Sequence, residues 1–595
     1  MLRRLIDWVG FAVTQPRTAS HNGAGTSTEA GCEDVAGVLN NCIRLGKAAL
    51  GAGQLEQAML HYRTAAELAP GDPDHLTALA YVMTELRRYE EAWPLLEEAV
   101  RLRPDDPDIH FQRGDFQLAV GELANARQCY LAALALRPDS AELHSNLGHV
   151  QGREGDAEAA IASFDRALQI DPGHLAAHSN LLWVLSFQGN DSGERYLREA
   201  LRYGQKVAVL ARPFTDWSQP PTTGKTPRPL RVGMVSGDFR QHPVGVFLEG
   251  VLAQMHPERL ELLAYSMNPQ DDALTERIRP RFSKWMPIGK LSDESVASAI
   301  HGDAVDILID LTGHSAYNRL PVFAWRPAPV QVSWLGYLAS TGVDAIDYVL
   351  ADPISVPEEV RKQFTEKIWY LPETVFCFTP PPEHPLLELT PPPALRNRYV
   401  TFGSFQRINK LSEVTLRAWA RIFEAIPQAK LLLRNEAMNS AMAREGLLVR
   451  LRHAGIDSNR VILGGYVADR NEYLAAYRDV DIVLDTFPHP GATTTCEALW
   501  MGVPTITMAG ATMLERIGAS MMACAGVADW IASSEAEYVA LATNRAVDAD
   551  SLAQMRCGLR RRVAATPLFD AARFATHLED ALVAIWQCQT ALRIR

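Results

Sequence analysis

Residues 481–504 read DIVLDTFPHPGATTTCEALWMGVP, from Asp481 to Pro504. Ile482 to Leu484 is a short apolar run of the kind that forms a buried strand, and Pro488, Pro490 and Gly491 end it in a turn. Thr493, Thr494 and Thr495 then open a helical pattern running to Gly502. A strand that stops at a helix start leaves free backbone N–H groups and the positive end of a helix dipole aimed at one spot, which suits a phosphate. Threonine hydroxyls add donors there. Glu497 lies one turn further along the same face, where its carboxylate can accept hydrogen bonds from a ribose. The segment therefore fits a nucleoside diphosphate, although a threonine cap on an ordinary amphipathic helix would be spelled the same way.

Working outward, the chain has 595 residues, enough for about four domains at roughly 150 residues each. With 47% hydrophobic and 22% charged residues its composition is that of a globular protein. Its 70 acidic and 58 basic residues leave a net charge of −12, which argues against general nucleic-acid binding, since that needs clustered Lys and Arg. Eight cysteines are scattered without CxxC spacing, so neither structural zinc nor a disulfide framework is expected, and a reducing cytoplasm fits. No apolar run approaches the roughly 20 residues of a membrane span, so no membrane partner is expected. In Met1 to Val13, Asp7 interrupts the apolar residues, which disfavours a signal peptide, and residues 1–34 are expected to be a loose leader.

From residue 35 to 190 the chain repeats every 34 residues. Pro70, Pro104, Pro138 and Pro172 keep that spacing, as do Ala58, Ala92, Ala126 and Ala160, and Ala65, Ala99, Ala133 and Ala167. A small position runs Gly46, Ala80, Gly114, Gly148, and a large one runs Tyr62, Leu96, Tyr130, Phe164. Period and pattern resemble the tetratricopeptide (TPR) family, which implies helical hairpins stacked into a superhelix with a concave groove. Two positions before the small residue stand Ala78, Gln112, Asn146 and Asn180. In that family this position commonly faces the groove, so Asn146 and Asn180 are candidates to hold the backbone of an acceptor peptide, or else solvated helix residues.

Residues 191–228 read as a helical connector followed by a Pro-rich linker. Residues 229–378 then alternate apolar strands (Arg231 to Ser236, Leu260 to Tyr265, Ile307 to Leu311, Val330 to Leu335, Ile346 to Leu350, Ile368 to Leu371) with helical patterns, as a parallel α/β lobe does. Two proline triplets between residues 379 and 397 mark an interlobe crossing. A second α/β lobe, 398–565, carries strands at Tyr399 to Phe402, Ala429 to Leu433, Val461 to Leu463, Ile482 to Leu484 and Thr505 to Met508, and residues 566–595 form a final helix. Two Rossmann-like lobes behind an all-α repeat array place a cleft between the carboxyl ends of both sheets, which is the GT-B architecture.

Four motifs now stand in order behind the repeats: Ser236 to Pro243 (SGDFRQHP), Arg326 to Tyr337 (RPAPVQVSWLGY), Phe402 to Lys410 (FGSFQRINK), and the segment with Thr493, Thr494 and Glu497. Over about residues 38 to 565 the chain resembles the TPR-containing protein O-GlcNAc transferases. The resemblance implies inverting transfer of GlcNAc from UDP-GlcNAc to Ser or Thr of proteins, with no metal and no other cofactor. It makes Lys410 a phosphate-contacting and catalytic lysine beside Thr493 and Thr494. Arg470 and Tyr473 fall near the nucleotide base, Leu335 and Gly336 in the sugar pocket. His242 matches the active-site histidine, and could serve as base or hydrogen-bond the acceptor or pyrophosphate. Asp310 and His314, following a strand, are weaker active-site candidates. Asp479-Val480-Asp481 is formally a DxD metal motif, but it precedes a buried strand and metal binding is not expected there.

Two departures stand out. Ala492 replaces the histidine that precedes the paired threonines in the animal enzymes, and Tyr473 replaces a histidine near the base. Three readings follow: the transferase just described, the same fold using GDP-fucose or another acceptor, or a TPR scaffold whose catalytic domain has decayed into a nucleotide-binding module.

Overall fold

The computed structural model describes residues 29–188, 192–217, 228–268, 270–465 and 467–594. Of the expected leader, residues 1–28 lie outside these, and residues 29–34 belong to the helix Glu29–Gly51, since no proline separates them from it. Most of the Pro-rich linker, residues 218–227, also lies outside. The chain divides into two compact units, one through Ala177 and one from His178 onward. The division falls within the helix Leu175–Leu185, inside the last expected repeat.

In the first unit seven further helices follow Glu29–Gly51, from Leu55–Leu68 to Ala157–Ile170, and alternate in antiparallel pairs. The repeat pattern has a direct packing cause. A methyl group on Gly114 would sit 2.4 Å from the Tyr130 ring, and one on Gly148 3.0 Å from Phe164, so each small residue seats the large one of its partner helix. The recurring alanines at 58, 92, 126 and 160 are fully buried at the crossings. Asp72 and Asp106 cap their helices by accepting from Asp74 N and Asp108 N, with Pro73 and Pro107 in the first turn. Bridges recur at the same register: Arg103 to Asp74 and Arg137 to Asp108, each 2.8 Å.

The second unit holds two parallel sheets. The first runs β3-β2-β1-β4-β5-β6-β7, where β1 is Leu230–Ser236, β2 Leu260–Ser266, β3 Lys284–Pro287, β4 Ile307–Asp310, β5 Val330–Ser333, β6 Tyr348–Ala351 and β7 Lys367–Tyr370. The second runs β10-β9-β8-β11-β12-β13, where β8 is Thr401–Ser404, β9 Lys430–Arg434, β10 Val461–Gly464, β11 Ile482–Leu484, β12 Thr505–Met508 and β13 Ile531–Ala532. Each has the doubly wound order, in which strand direction of growth reverses between the first and fourth strands of the lobe. That crevice lies between β1 and β4 in one lobe and between β8 and β11 in the other. Central strands β4, β5 and β11 are buried at every residue, as helix-covered parallel strands should be. β3 and β13 were not expected from the pattern: β3 is only half buried at an edge, and β13 has two residues.

The two lobes are tied together by direct hydrogen bonds. Ser520 Oγ donates to Asp352 Oδ2 at 2.6 Å, and Arg516 Nε to Ile354 O at 2.7 Å. The final helix Ala571–Ile594 returns to the first lobe, where buried Glu579 accepts from His256 N and pairs with Arg259 at 2.8 Å. No helix among the described residues is long and apolar enough to cross a membrane.

Candidate donor-binding cleft

The loops leaving β1, β8 and β11 line one cavity of about 780 Å³, within the range of ligand pockets. From the second lobe come Phe405, Gln406, Arg407, Lys410, Arg470, Tyr473, His489, Thr493, Thr494 and Glu497, and from the first His242, Leu335, Gly336 and Tyr337. Trp183 and Phe187 add an aromatic wall, with the His489 ring stacked on Phe187 at 4.3 Å.

Asp485, the residue after β11, organises the turn. Its Oδ1 accepts from Gly491 N (2.7 Å), Thr486 N (3.0 Å) and Gln406 Nε2 (3.2 Å), and its Oδ2 from Thr507 Oγ1 (2.8 Å). Thr507 stands on β12, so the turn is fixed to the sheet. A Cβ at 491 would lie 2.2 Å from Gln406 Nε2 and 2.4 Å from Thr494 Oγ1, so any larger residue there would displace both side chains. The turn delivers the helix Thr493–Trp500, whose N-cap, Ala492, offers no side-chain cap. The Thr493 hydroxyl is buried without a hydrogen-bond partner among the described residues. The first turn of this helix thus presents unused donors to the cavity.

Lys410 follows Gln406 on the turn Ile408–Lys410 and donates to Pro490 O at 2.9 Å. Burial pushes its pKa down to about 8 against the favourable charge of Asp485, with Arg407 lowering it further. Burial raises Asp485 in turn to about 6 despite its many donors.

Glu497 is 2% exposed and pairs with Arg470 at 2.7 Å. Burial raises its pKa, with Arg470 opposing. Arg470 also lies 5.7 Å from the ring of Tyr473, which packs edge-on to Phe405. Glu497 thus faces the cavity already paired, and a ribose would meet the pair, not a lone carboxylate.

On the first lobe, His242 caps the helix Pro243–Gln254, its Nδ1 accepting from Val244 N at 3.4 Å. Asp238 Oδ2 lies 3.4 Å from the same nitrogen. These contacts select opposite tautomers: the cap leaves the proton on Nε2, whereas donation to Asp238 would free Nε2 to accept. Burial, then Arg240 and Arg407, lower the pKa to about 3, so the ring is neutral near pH 7. Leu335 holds φ +73° with Gly336 N donating to Trp334 O at 2.9 Å, a strained γ-turn in the cavity wall. A Cβ on Gly336 would lie 1.7 Å from Leu311 O, so glycine is required at this crossing.

Asp310 and His314 are not cavity-lining residues. Asp310 accepts from Thr312 N, Gly313 N and Ser333 Oγ, which pins the turn after β4. Both ring nitrogens of His314 are engaged, with Ser179 Oγ at 3.0 Å and Thr341 O at 2.9 Å, and the residue is 1% exposed. Both candidates follow a strand as expected, but their side chains brace the lobe. Asn146 lies in the repeat unit and donates to Asp115 Oδ1 at 3.3 Å, while Asn180 is half-buried on Leu175–Leu185. Asp481 accepts from Ala394 N and Thr401 N at the opening edge of the sheet, away from the carboxyl ends, so the DxD letters do not face the cavity.

Gln406, Arg407, Asp485 and His489 were not singled out from sequence. Gln406 and Arg407 adjoin Lys410 in the FGSFQRINK motif, and Asp485 directly follows β11, where such loops carry function.

Residues 178–379 and 392–578 match glycosyl transferase family 41, and residues 43–107, 118–155 and 141–174 match tetratricopeptide repeat families. The SPINDLY proteins of Solanum lycopersicum and Petunia hybrida, named probable UDP-N-acetylglucosamine–peptide N-acetylglucosaminyltransferases, are 36% and 37% identical over 404 residues. That stretch is 67% of this chain and 43% of each relative, so the chain spans less than half the length of these curated relatives. The solved structure of a mutant Thermobaculum terrenum O-GlcNAc transferase is similar at TM-score 0.75 and 30% identity, over 95% of this chain and all of that one. The chain belongs to glycosyl transferase family 41, with tetratricopeptide repeats ahead of a GT-B pair of lobes.

Proposed function

We propose that the protein moves GlcNAc from UDP-GlcNAc to a Ser or Thr hydroxyl of a protein acceptor, by direct displacement with inversion and without a metal. The observation that carries this reading is the convergence, in one cavity, of Lys410, the unpartnered Thr493 hydroxyl and an uncapped helix start from one lobe with His242 and the Leu335–Gly336 turn from the other.

In this account the acceptor oxygen attacks the anomeric carbon from the face opposite the diphosphate. A new C–O bond forms as the bond to the phosphate oxygen breaks, and the electron pair leaves on UDP. Lys410, Thr493, Thr494 and the helix N–H groups receive that charge, the role a metal plays elsewhere. Arg470, Tyr473 and Glu497 hold the nucleoside end. His242 is neutral at working pH: as the Asp238-selected tautomer its Nε2 takes the acceptor proton, and as the other tautomer its Nε2–H donates to the donor while the acceptor proton passes to a phosphate oxygen of the departing UDP. Acceptor peptides are assigned to the repeats, where Asn146 stands at the position that commonly faces the groove in that family.

The test is transfer in EDTA to a pool of Ser- and Thr-containing peptides, read by mass spectrometry with UDP-GlcNAc and, separately, GDP-fucose. Addition of one N-acetylhexosamine supports the reading. Addition of deoxyhexose alone assigns the other donor, and transfer that needs added metal removes the metal-free mechanism.

A further inference from the structure

Among the described residues, Arg407 is a cleft arginine with no carboxylate paired to it. It precedes the turn Ile408–Lys410, is exposed to the cavity, and its guanidinium makes no hydrogen bond or ion pair among the described residues. The neighbouring arginines differ. Arg470 pairs with Glu497, and Arg240 with Asp238. Asp485, the carboxylate nearest Lys410 in effect, already accepts from Gln406, Thr486, Gly491 and Thr507. Arg407 is also close enough to depress the protonation of Lys410, His242 and His489 together. A guanidinium, an ammonium and the positive end of a helix therefore share one cavity, with the surrounding carboxylates committed elsewhere. Such crowding of like charge is unfavourable until a multiply charged anion enters.

We propose that Arg407 is a second cation for the diphosphate of the donor, clamping it opposite Lys410 and supplying the side-chain donor that Ala492 does not. A guanidinium presents paired N–H groups that match two phosphate oxygens, which an ammonium cannot do. This rests on the reading that the cleft takes a nucleoside diphosphate, but not on which base or sugar it carries. The role extends to turnover, because the diphosphate gains charge as the sugar leaves.

The test is calorimetric titration of the full chain, its Arg407→Gln and Arg407→Lys variants, with UDP, UMP, GDP and GMP, beside steady-state turnover. The Arg407 side chain is exposed and makes no hydrogen bond or ion pair among the described residues, so both variants should melt as the wild type does. For the preferred base, Arg407→Gln is expected to weaken diphosphate binding by about 10- to 100-fold, the range of one lost charge-assisted contact. The monophosphate should lose less, Arg407→Lys should fall between, and kcat should drop with Arg407→Gln. Unchanged diphosphate Kd in Arg407→Gln overturns the proposal, and so does a change confined to the KM of the acceptor peptide. A wild type that prefers GDP refutes the UDP assignment while leaving Arg407 to be judged on GDP and GMP. A wild type that binds no nucleotide overturns both.

Discussion

The side-chain amide of Gln406 donates to Thr494 Oγ1 at 2.8 Å and to Asp485 Oδ1 at 3.2 Å. Because the Thr494 oxygen already accepts, its own proton is free to point into the cavity, and the same amide locks that hydroxyl to the carboxylate that shapes the turn. Replacing Gln406 by Glu puts an acceptor where a donor stood and a second carboxylate beside Asp485. We expect Gln406→Glu to weaken UDP binding by at least about tenfold, and Gln406→Ala by less, measured by calorimetry.

Lys410→Ala should lower kcat by about 10²–10³, the size of one lost charge-stabilising donor, while the melting temperature stays near that of the wild type. Lys410 carries its charge below its pKa of about 8 and loses it above. The pH profile of kcat/KM for the donor should therefore fall on the alkaline side near pH 8. Lys410→Arg keeps the charge at all accessible pH, so in that variant the fall should disappear even if the rate is lower.

His242 stays neutral because burial and two arginines hold its pKa near 3. No decline in rate should appear around the ordinary imidazole value of roughly 6.5. His242→Ala is expected to lower kcat by about 10²–10⁴ with UDP affinity little changed. A proportional loss of UDP affinity would assign the ring to the pyrophosphate instead.

His314 illustrates how far the residues could be read in advance. The repeat period, the two alternating lobes and the strand before Thr493 were legible, because each rests on a periodicity that packing enforces: Gly114 against Tyr130, or β11 buried on both faces. That Asp310 and His314 would follow β4 was legible too. The direction of their side chains was not, since it depends on partners far away in sequence, Ser179 and Thr341 for His314 and Ser333 for Asp310. The same limit hid Asp485 and the Glu497–Arg470 pair, whose partners are set by tertiary packing. Strands β3 and β13 escaped because KWMP is no apolar run and two residues are too few to show one, whereas the edge strands β7 and β10 carry short apolar runs.

His314→Ala should accordingly destabilise the catalytic unit by about 1–3 kcal/mol through two lost buried hydrogen bonds, while the folded fraction keeps its affinity for UDP. Burial holds the His314 pKa near 3, whereas the unfolded chain protonates this ring near 6.5. Protonation then favours unfolding as pH falls from about 6.5 toward 3, so acid should destabilise wild type more steeply than His314→Ala in melts across that range.

The most direct test of the central claim is calorimetric titration of the wild-type chain with UDP and with GDP in the presence of EDTA, beside Lys410→Ala. Metal-independent binding of UDP in preference to GDP, weakened in the variant, is the expected result. Preference for GDP, or UDP binding that vanishes in EDTA, would contradict it.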